Sequence, residues 1–198
     1  MIDNCIREND MRKSEVDPSK VPFNLDEIKR QASQSLDQGA VTEDYPLDIE
    51  EACAHLNAAL ATEIMCVMRY RHHQVIAKGI DRPQVVAEFA EHAEDEQRHM
   101  MMIAERINQL GGNPDFNPGT VLSRTATEYG SGTDLLKLIK DDLIAERIAI
   151  MVYRELIEWF GASDPTTRRM LEDILKDEED HADDLSDLLV GAVKRSGE

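Results

Sequence analysis

Apolar residues recur along this chain in steps of three and four over four stretches, about 48–78, 83–110, 133–160 and 164–190. That period lines apolar side chains along one face of a helix. Leu56, Leu60 and Val67 mark the first stretch, and Val85, Phe89, Ile103 and Leu110 the second. Ile139, Ala149, Leu156 and Phe160 mark the third, and Ile174, Leu185 and Leu188 the fourth. Gly79, Gly111 and Gly161 punctuate the first three, while Asp164 and Pro165 offer the fourth a cap and a first-turn proline. Aromatic residues are few and glycines sit between the runs, which disfavours strands. The pattern predicts an all-α chain.

The links between the stretches predict the topology. The first-to-second and third-to-fourth links are a few residues each, which makes each pair an antiparallel hairpin. The middle link, 111–132, holds Gly111, Gly112, Pro114, Pro118, Gly119, Gly130 and Gly132. A helix of about 28 residues is roughly 42 Å long at 1.5 Å per residue, and an extended link of about 20 residues spans that length. The expected fold is a four-helix bundle over 47–193, two hairpins joined by a long crossover, behind an N-terminal extension over 1–46. Within that extension, residues 1–23 read as a polar tail broken by Pro18 and Pro22, and a short helix is expected from Asn24 to Gln38, ended by Gly39.

The stripes carry an anomaly. Glu63 interrupts the first seam, His92, Glu96 and His99 the second, Asp142 and Glu146 the third, Glu178 and His181 the fourth. Glu96/His99 and Glu178/His181 are both Glu-x-x-His, a spacing that points carboxylate and imidazole to the same side of a helix. Antiparallel partners meet at equal distances from their shared turn, and here Glu63 lies 16 residues before Gly79 while Glu96 lies 13 after Pro83. Glu146 lies 15 before Gly161 and Glu178 lies 13 after Pro165, so all four glutamates reach one level. Four carboxylates buried without counter-charge are costly, and the seams offer no comparable set of Lys or Arg. Two divalent cations supply that charge. A donor set of four carboxylates and two imidazoles suits iron, or manganese, better than structural zinc.

At these residues the chain resembles the ferritin-like superfamily, and within it bacterioferritin and the Dps-like ferritins with a bacterioferritin-type di-iron centre. The resemblance covers about residues 47–190 and includes the string LNAALATEIMCVMRYRHH. It implies a ligand set of Glu63, Glu96, His99, Glu146, Glu178 and His181, with Glu96 and Glu178 bridging two iron ions per chain, and it places Tyr70 beside the centre as a hydrogen-bond or electron donor. It further implies a ferroxidase that oxidises Fe(II) with oxygen or hydrogen peroxide and stores ferric iron inside a homo-oligomeric shell. Gln97 stands where bacterioferritin has its haem-ligating methionine, so haem is not expected. The 17 residues after His181 are too few for the fifth helix of large ferritin shells, which favours twelve chains over twenty-four. The thiol pair of some Dps-like ferritins has no counterpart.

Other residues read more plainly. Met100, Met101 and Met102 are expected as core or packing contacts. His72 and His73 are expected exposed and half-buried, with an accessory metal role weighed for His73. Glu91 and Asp95 are expected on a solvated face, with mineral nucleation as the alternative. A net charge of −18 over 198 residues argues against nucleic acid and anionic lipid as partners and favours cations. A Dps-type DNA coat needs a basic tail, and residues 1–23 mix Arg7, Arg12, Lys13 and Lys20 with five acids. Three cysteines without a C-x-x-C pair fit a cytoplasmic protein and disfavour a rubredoxin domain, and no stretch reads as a secretion signal or membrane span. The competing function is a di-iron peroxidase like rubrerythrin, or a di-manganese catalase, without storage.

Overall fold

The computed structural model describes residues 22–79, 82–130, 132 and 134–196. All its regular elements are helices: α1 Leu25–Ala32, a 3-10 turn Leu36–Gln38, α2 Ile49–Ile76, α3 Arg82–Gln109, α4 Pro118–Arg124, α5 Leu135–Phe160 and α6 Pro165–Ser196. No strand occurs among the described residues. The fold is the expected four-helix bundle of two hairpins: α2 packs along α3, α5 along α6, and the two hairpins close against each other through α2 with α5 and α3 with α6. Side chains near the start of α5 meet side chains near the end of α2, so the crossover 110–134 travels the length of the bundle.

Local chemistry sets the ends. Asp48 caps α2 by accepting from Glu51 N, and Asp134 caps α5 by accepting from Lys137 N. Asp164 caps α6, and its carboxylate also accepts from Arg106 of α3 at 2.9 Å and from the Tyr45 hydroxyl at 2.8 Å. One buried carboxylate thereby ties the segment before α2, the last turn of α3 and the first turn of α6. Asn24 caps α1 as expected, but that helix stops at Ala32 rather than near Gln38. Ser35 takes a left-handed backbone (φ 47°), which breaks the run before a separate 3-10 turn reaches Gln38.

The crossover holds a helix the sequence pattern did not suggest. Pro118 opens α4, Asn117 caps it, and Val121 buries itself beside Ala61 and Met65 of α2. Arg124 donates to the carbonyls of Asn57 and Asp115, and Thr62 accepts from Ala126 N, so the link is fastened to α2 rather than looping free. The fourth long helix also continues to Ser196, past the expected 190. Of the tail expected over 1–23, residues 1–21 lie outside the described part of the chain, and so does Cys5; Cys53 and Cys66 are buried free thiols.

The core is divided in two. One apolar cluster, with Leu56, Leu60, Ile103, Phe160 and Ile174, fills the end near Asp164. The other, with Val85, Phe89, Leu138, Ile139 and Leu185, fills the opposite end. Burying each such side chain contributes about 1.5–3 kcal/mol, and the two plugs exclude water from the polar layer between them. Met100 and Met102 pack against the first plug as expected, while Met101 is exposed.

Candidate metal centre

In the layer between the plugs, Glu63, Glu96, His99, Glu146, Glu178 and His181 converge, each between 0 and 4 % exposed. Two overlapping donor groups arise, Glu63/Glu96/His99/Glu178 and Glu96/Glu146/Glu178/His181, with one atom per residue and all donors of a group within 4.8 Å of one another. Glu96 and Glu178 belong to both groups. His99 Nδ1 lies 3.1 Å from Glu178 Oε1 and 3.5 Å from Glu96 Oε2, while His181 Nδ1 lies 3.4 Å from Glu96 Oε1, all without hydrogen-bond alignment.

Outward-facing atoms of these residues are held by partners. The Tyr153 hydroxyl donates to Glu63 Oε1, and the Tyr70 hydroxyl donates to Glu146 Oε1. His99 Nε2 donates to Asp177 Oδ2 at 3.2 Å and His181 Nε2 to Asp95 Oδ2 at 3.4 Å; a carboxylate only accepts, so Nε2 carries a ring hydrogen and Nδ1 is the atom turned to the cluster. What remains is one inward atom each on Glu63, Glu146, His99 and His181, and both oxygens of Glu96 and Glu178. All of these are buried and without a hydrogen-bond partner. Unsatisfied buried acceptors at this density demand positive charge. The donor set therefore fits two cations sharing Glu96 and Glu178.

The arrangement has an approximate two-fold repeat. Glu-x6-Tyr occurs on α2 (Glu63, Tyr70) and on α5 (Glu146, Tyr153), and each tyrosine serves the other helix's glutamate. Asp-Glu-x-x-His occurs on α3 (Asp95–His99) and on α6 (Asp177–His181), and each aspartate serves the other helix's histidine. Sequence reasoning assigned Tyr70 but not Tyr153, Asp95 or Asp177 to the centre; the duplicated motifs were the available signal. Asp95 does not simply face solvent. Besides His181 it accepts from Arg98, which also bridges to Asp177.

Electrostatics follow burial. Desolvation, reinforced by neighbouring Glu96, pushes Glu63, Glu146 and Glu178 above the usual carboxylate range. Burial also acts to raise Glu96, but His181 and then His99 beside it outweigh that and hold it well below. Burial disfavours a charged His181, yet Glu96 raises it to about 9. A proton and a cation are alternatives at these inward atoms, so cation binding here competes with protonation and is weakened by acid.

A polar extension runs toward one end only. Arg69 donates to Asp142 Oδ1 at 2.8 Å, His73 Nδ1 pairs with Asp142 Oδ2 at 2.9 Å, and Arg69 also donates to the Glu128 carbonyl of the crossover. His73 is therefore fully buried rather than half-buried, and its ring is engaged by Asp142. The accessory metal role weighed for it finds no donor cluster there among the described residues. His72 is exposed as expected and stacks on Tyr129. Beside the centre a cavity of about 500 Å3 opens between α3 and α6, lined by His92, His181 and six acids that include Glu91, Asp95 and Asp177. No described helix is long and apolar enough to cross a membrane.

Comparison with known proteins places this architecture. The bacterioferritin-related protein of Bacteroides fragilis, described as a dodecameric thioferritin, superposes with a TM-score of 0.73 at 32% identity, covering 76% of this chain and 91% of that one. A ferritin-like di-iron-carboxylate protein of Bacillus anthracis superposes with a TM-score of 0.63 at 27% identity, covering 71% and 96%. A nutrient stress-induced DNA-binding protein of Synechococcus is 28% identical over 137 residues, 67% of this chain and 77% of that protein. The family model for the ferritin-like domain matches residues 53–192, well over half of the chain. The protein belongs to the ferritin-like family.

Proposed function

We propose that the protein is a ferroxidase that binds two iron ions per chain between Glu63, Glu96, His99, Glu146, Glu178 and His181, and that it stores the ferric product in a homo-oligomeric shell of twelve chains. The observation that carries the reading is the set of inward, unpartnered donor atoms on these six residues. Glu96 and Glu178 would be shared by the two ions, since both oxygens of each face inward without a partner, and Glu63 and Glu146 would each offer one oxygen, since tyrosine holds the other. A pair of ions that each change by one electron supplies two-electron chemistry. Two Fe(II) give one electron each, hydrogen peroxide takes both together with two protons, and two waters leave; with dioxygen in place of peroxide, two such turnovers reduce it to water. Manganese fits the same donors, and on this reading it competes rather than replaces iron.

The chain's own groups prepare the reaction. Tyr70 and Tyr153 fix the terminal carboxylates, Asp95 and Asp177 fix the histidine tautomers, and the apolar plugs keep bulk water out. The acidic cavity between α3 and α6 gives cations a route to His181 and draws them in. The dodecameric relative supports a twelve-chain shell, and exposed Leu122, Val75, Met151, Ile144 and Met68 supply apolar surface for contacts between copies. Net charge of −18 speaks against coating DNA, although two cyanobacterial relatives are named for DNA binding.

Metal analysis and stopped-flow oxidation test the reading together. Anaerobic titration with Fe(II) is expected to saturate the centre at two ions per chain, with rapid oxidation on adding peroxide or air and retention of further iron inside the particle. One ion per chain overturns the paired centre, and two Mn(II) per chain bound in preference to Fe(II), with peroxide disproportionation, supports the catalase alternative instead.

A further inference from the structure

The two-fold repeat of the centre fails at one informative place. Four residues before Glu96 on α3 stands His92, whereas four residues before Glu178 on α6 stands Ile174, a core residue. His92 is 2 % exposed and lies between the centre and the acidic cavity that it helps to line. Its ring stacks on His181 with centroids 4.0 Å apart. Its Nδ1 is 3.2 Å from the Tyr70 hydroxyl. That hydroxyl has one hydrogen, given to Glu146, so its oxygen accepts from His92 Nδ1–H. The other nitrogen, Nε2, is then left with a lone pair and no hydrogen-bond partner, aimed at the cavity.

Two carboxylates meet it there. Glu88, one turn earlier on α3, and Asp184, across the cavity on α6, each place an oxygen so that the three donor atoms lie within 4.8 Å of one another. His92 Nε2 is 3.8 Å from Asp184 Oδ2, too far for a hydrogen bond. Two ligands that each sit about 2.1 Å from a shared ion stand roughly 3–4 Å apart, and His92 Nε2 and Asp184 Oδ2 stand 3.8 Å apart. None of the three atoms offers a hydrogen to another, and a cation between them would be held by all three.

We propose that Glu88, His92 and Asp184 form a third cation site, distinct from the paired centre, which takes a first-row divalent ion at the inner end of the acidic cavity. Its build matches ligating histidines generally: one ring nitrogen faces the ion and the other is fixed by a partner, here Tyr70, which sets tautomer and orientation. Stacking on His181 fixes the ring plane. An ion held there sits on the solvent side of His181, at the threshold of the paired centre, and Tyr70 touches both sites.

The site is independent of the paired centre in its ligands, so the two stand or fall separately. Equilibrium dialysis of the assembled protein against Zn(II) alone, with anomalous diffraction from Zn(II)-soaked crystals, reads both. Three ions per chain are expected, one of them between Glu88, His92 and Asp184. The Glu88→Gln/Asp184→Asn double variant is expected to lose that ion alone and keep the other two. Asp180→Asn/Asp183→Asn removes as much charge from the same cavity and is expected to keep all three. No ion between the triad residues in the wild type overturns the proposal, and so does equal loss in the Asp180/Asp183 variant, which makes the binding diffuse attraction. An ion at the triad with an empty centre supports this site and removes the ferroxidase reading.

Discussion

Two kinds of buried acid occupy neighbouring positions in this bundle, and their difference explains what each is for. Asp142 receives Arg69 and His73 directly, so its charge is balanced by protein. Glu63, Glu96, Glu146 and Glu178 have no Lys or Arg in direct contact, and meet tyrosine hydroxyls, imidazoles and one another. Removing one partner of a buried pair leaves an uncompensated charge and costs about 3–5 kcal/mol. Arg69→Met is therefore expected to destabilise the metal-free protein by that amount, read as a lower denaturant midpoint. A loss below about 1 kcal/mol shows that the pair with Arg69 adds no more than a surface pair would. Changes at the glutamates act on metal instead. Tyr153→Phe frees Glu63 Oε1 and is expected to weaken iron binding by about 10–100-fold, the usual effect of deleting a residue that orients a ligand. Glu96→Ala and Glu178→Ala each remove two inward oxygens and are expected to abolish rapid Fe(II) oxidation, measured by stopped flow. Wild-type rates in either variant overturn the ligand assignment.

At the scale of elements, the long helices were legible because each has a three-four apolar step and punctuation at its ends. Antiparallel register was legible too, since equal distances from the turns bring Glu63, Glu96, Glu146 and Glu178 to one level. Neighbouring details were hidden for physical reasons. Asp95 and Asp177 sit next to seam residues, and one residue turns a helix by about 100°, so period alone assigns them to an outer face. Only the crossing of α3 and α6 brings each to the other's histidine. Arg69 reads as surface by type, and its burial depends on α5 and the crossover arriving together. The seven residues of α4 are too few for a period to register, and Pro118 and Gly119 disguise them as loop. Asp164 shows how an element boundary becomes a junction. Burial acts to raise its carboxyl, but hydrogen bonds from Thr167, and then from Arg106 and Tyr45, hold it below the usual range. Its folded pKa lies below its unfolded one, so its stabilisation is present above the unfolded value, about 3.9, and fades as pH falls through the folded value. Asp164→Asn is expected to cost about 1–3 kcal/mol at pH 7 and less near pH 3, followed by thermal melts at both pH values. An equal cost at both places the effect in packing rather than charge.

For the whole molecule the question is whether the bundle works alone or as a wall. A mineral stays soluble only when enclosed, so storage requires closure, and closed point-group symmetry is how identical chains achieve it. Peroxidase or catalase chemistry requires only the bundle. Leu122, Val75, Met151, Ile144 and Met68 are each more than half exposed and stand on α4, α2 and α5, whereas the acidic cavity lies between α3 and α6. That division suits a shell in which apolar surface meets neighbours and carboxylates line channels or cavity, where crowding a charge of −18 per chain is offset by the cations it attracts. A particle of about 270 kDa, twelve times the 22.4 kDa chain, is expected in light scattering of the metal-free protein. The same radius is expected after several hundred Fe(II) per particle are added in air, with the iron co-eluting in size exclusion. Iron that precipitates from a dimer of unchanged oxidation rate separates catalysis from storage and leaves the paired centre as a stand-alone enzyme. A mobility shift of duplex DNA at physiological salt, with the shell intact, reverses the charge argument, because twelve such chains then bind a polyanion through surfaces whose net sign opposes it.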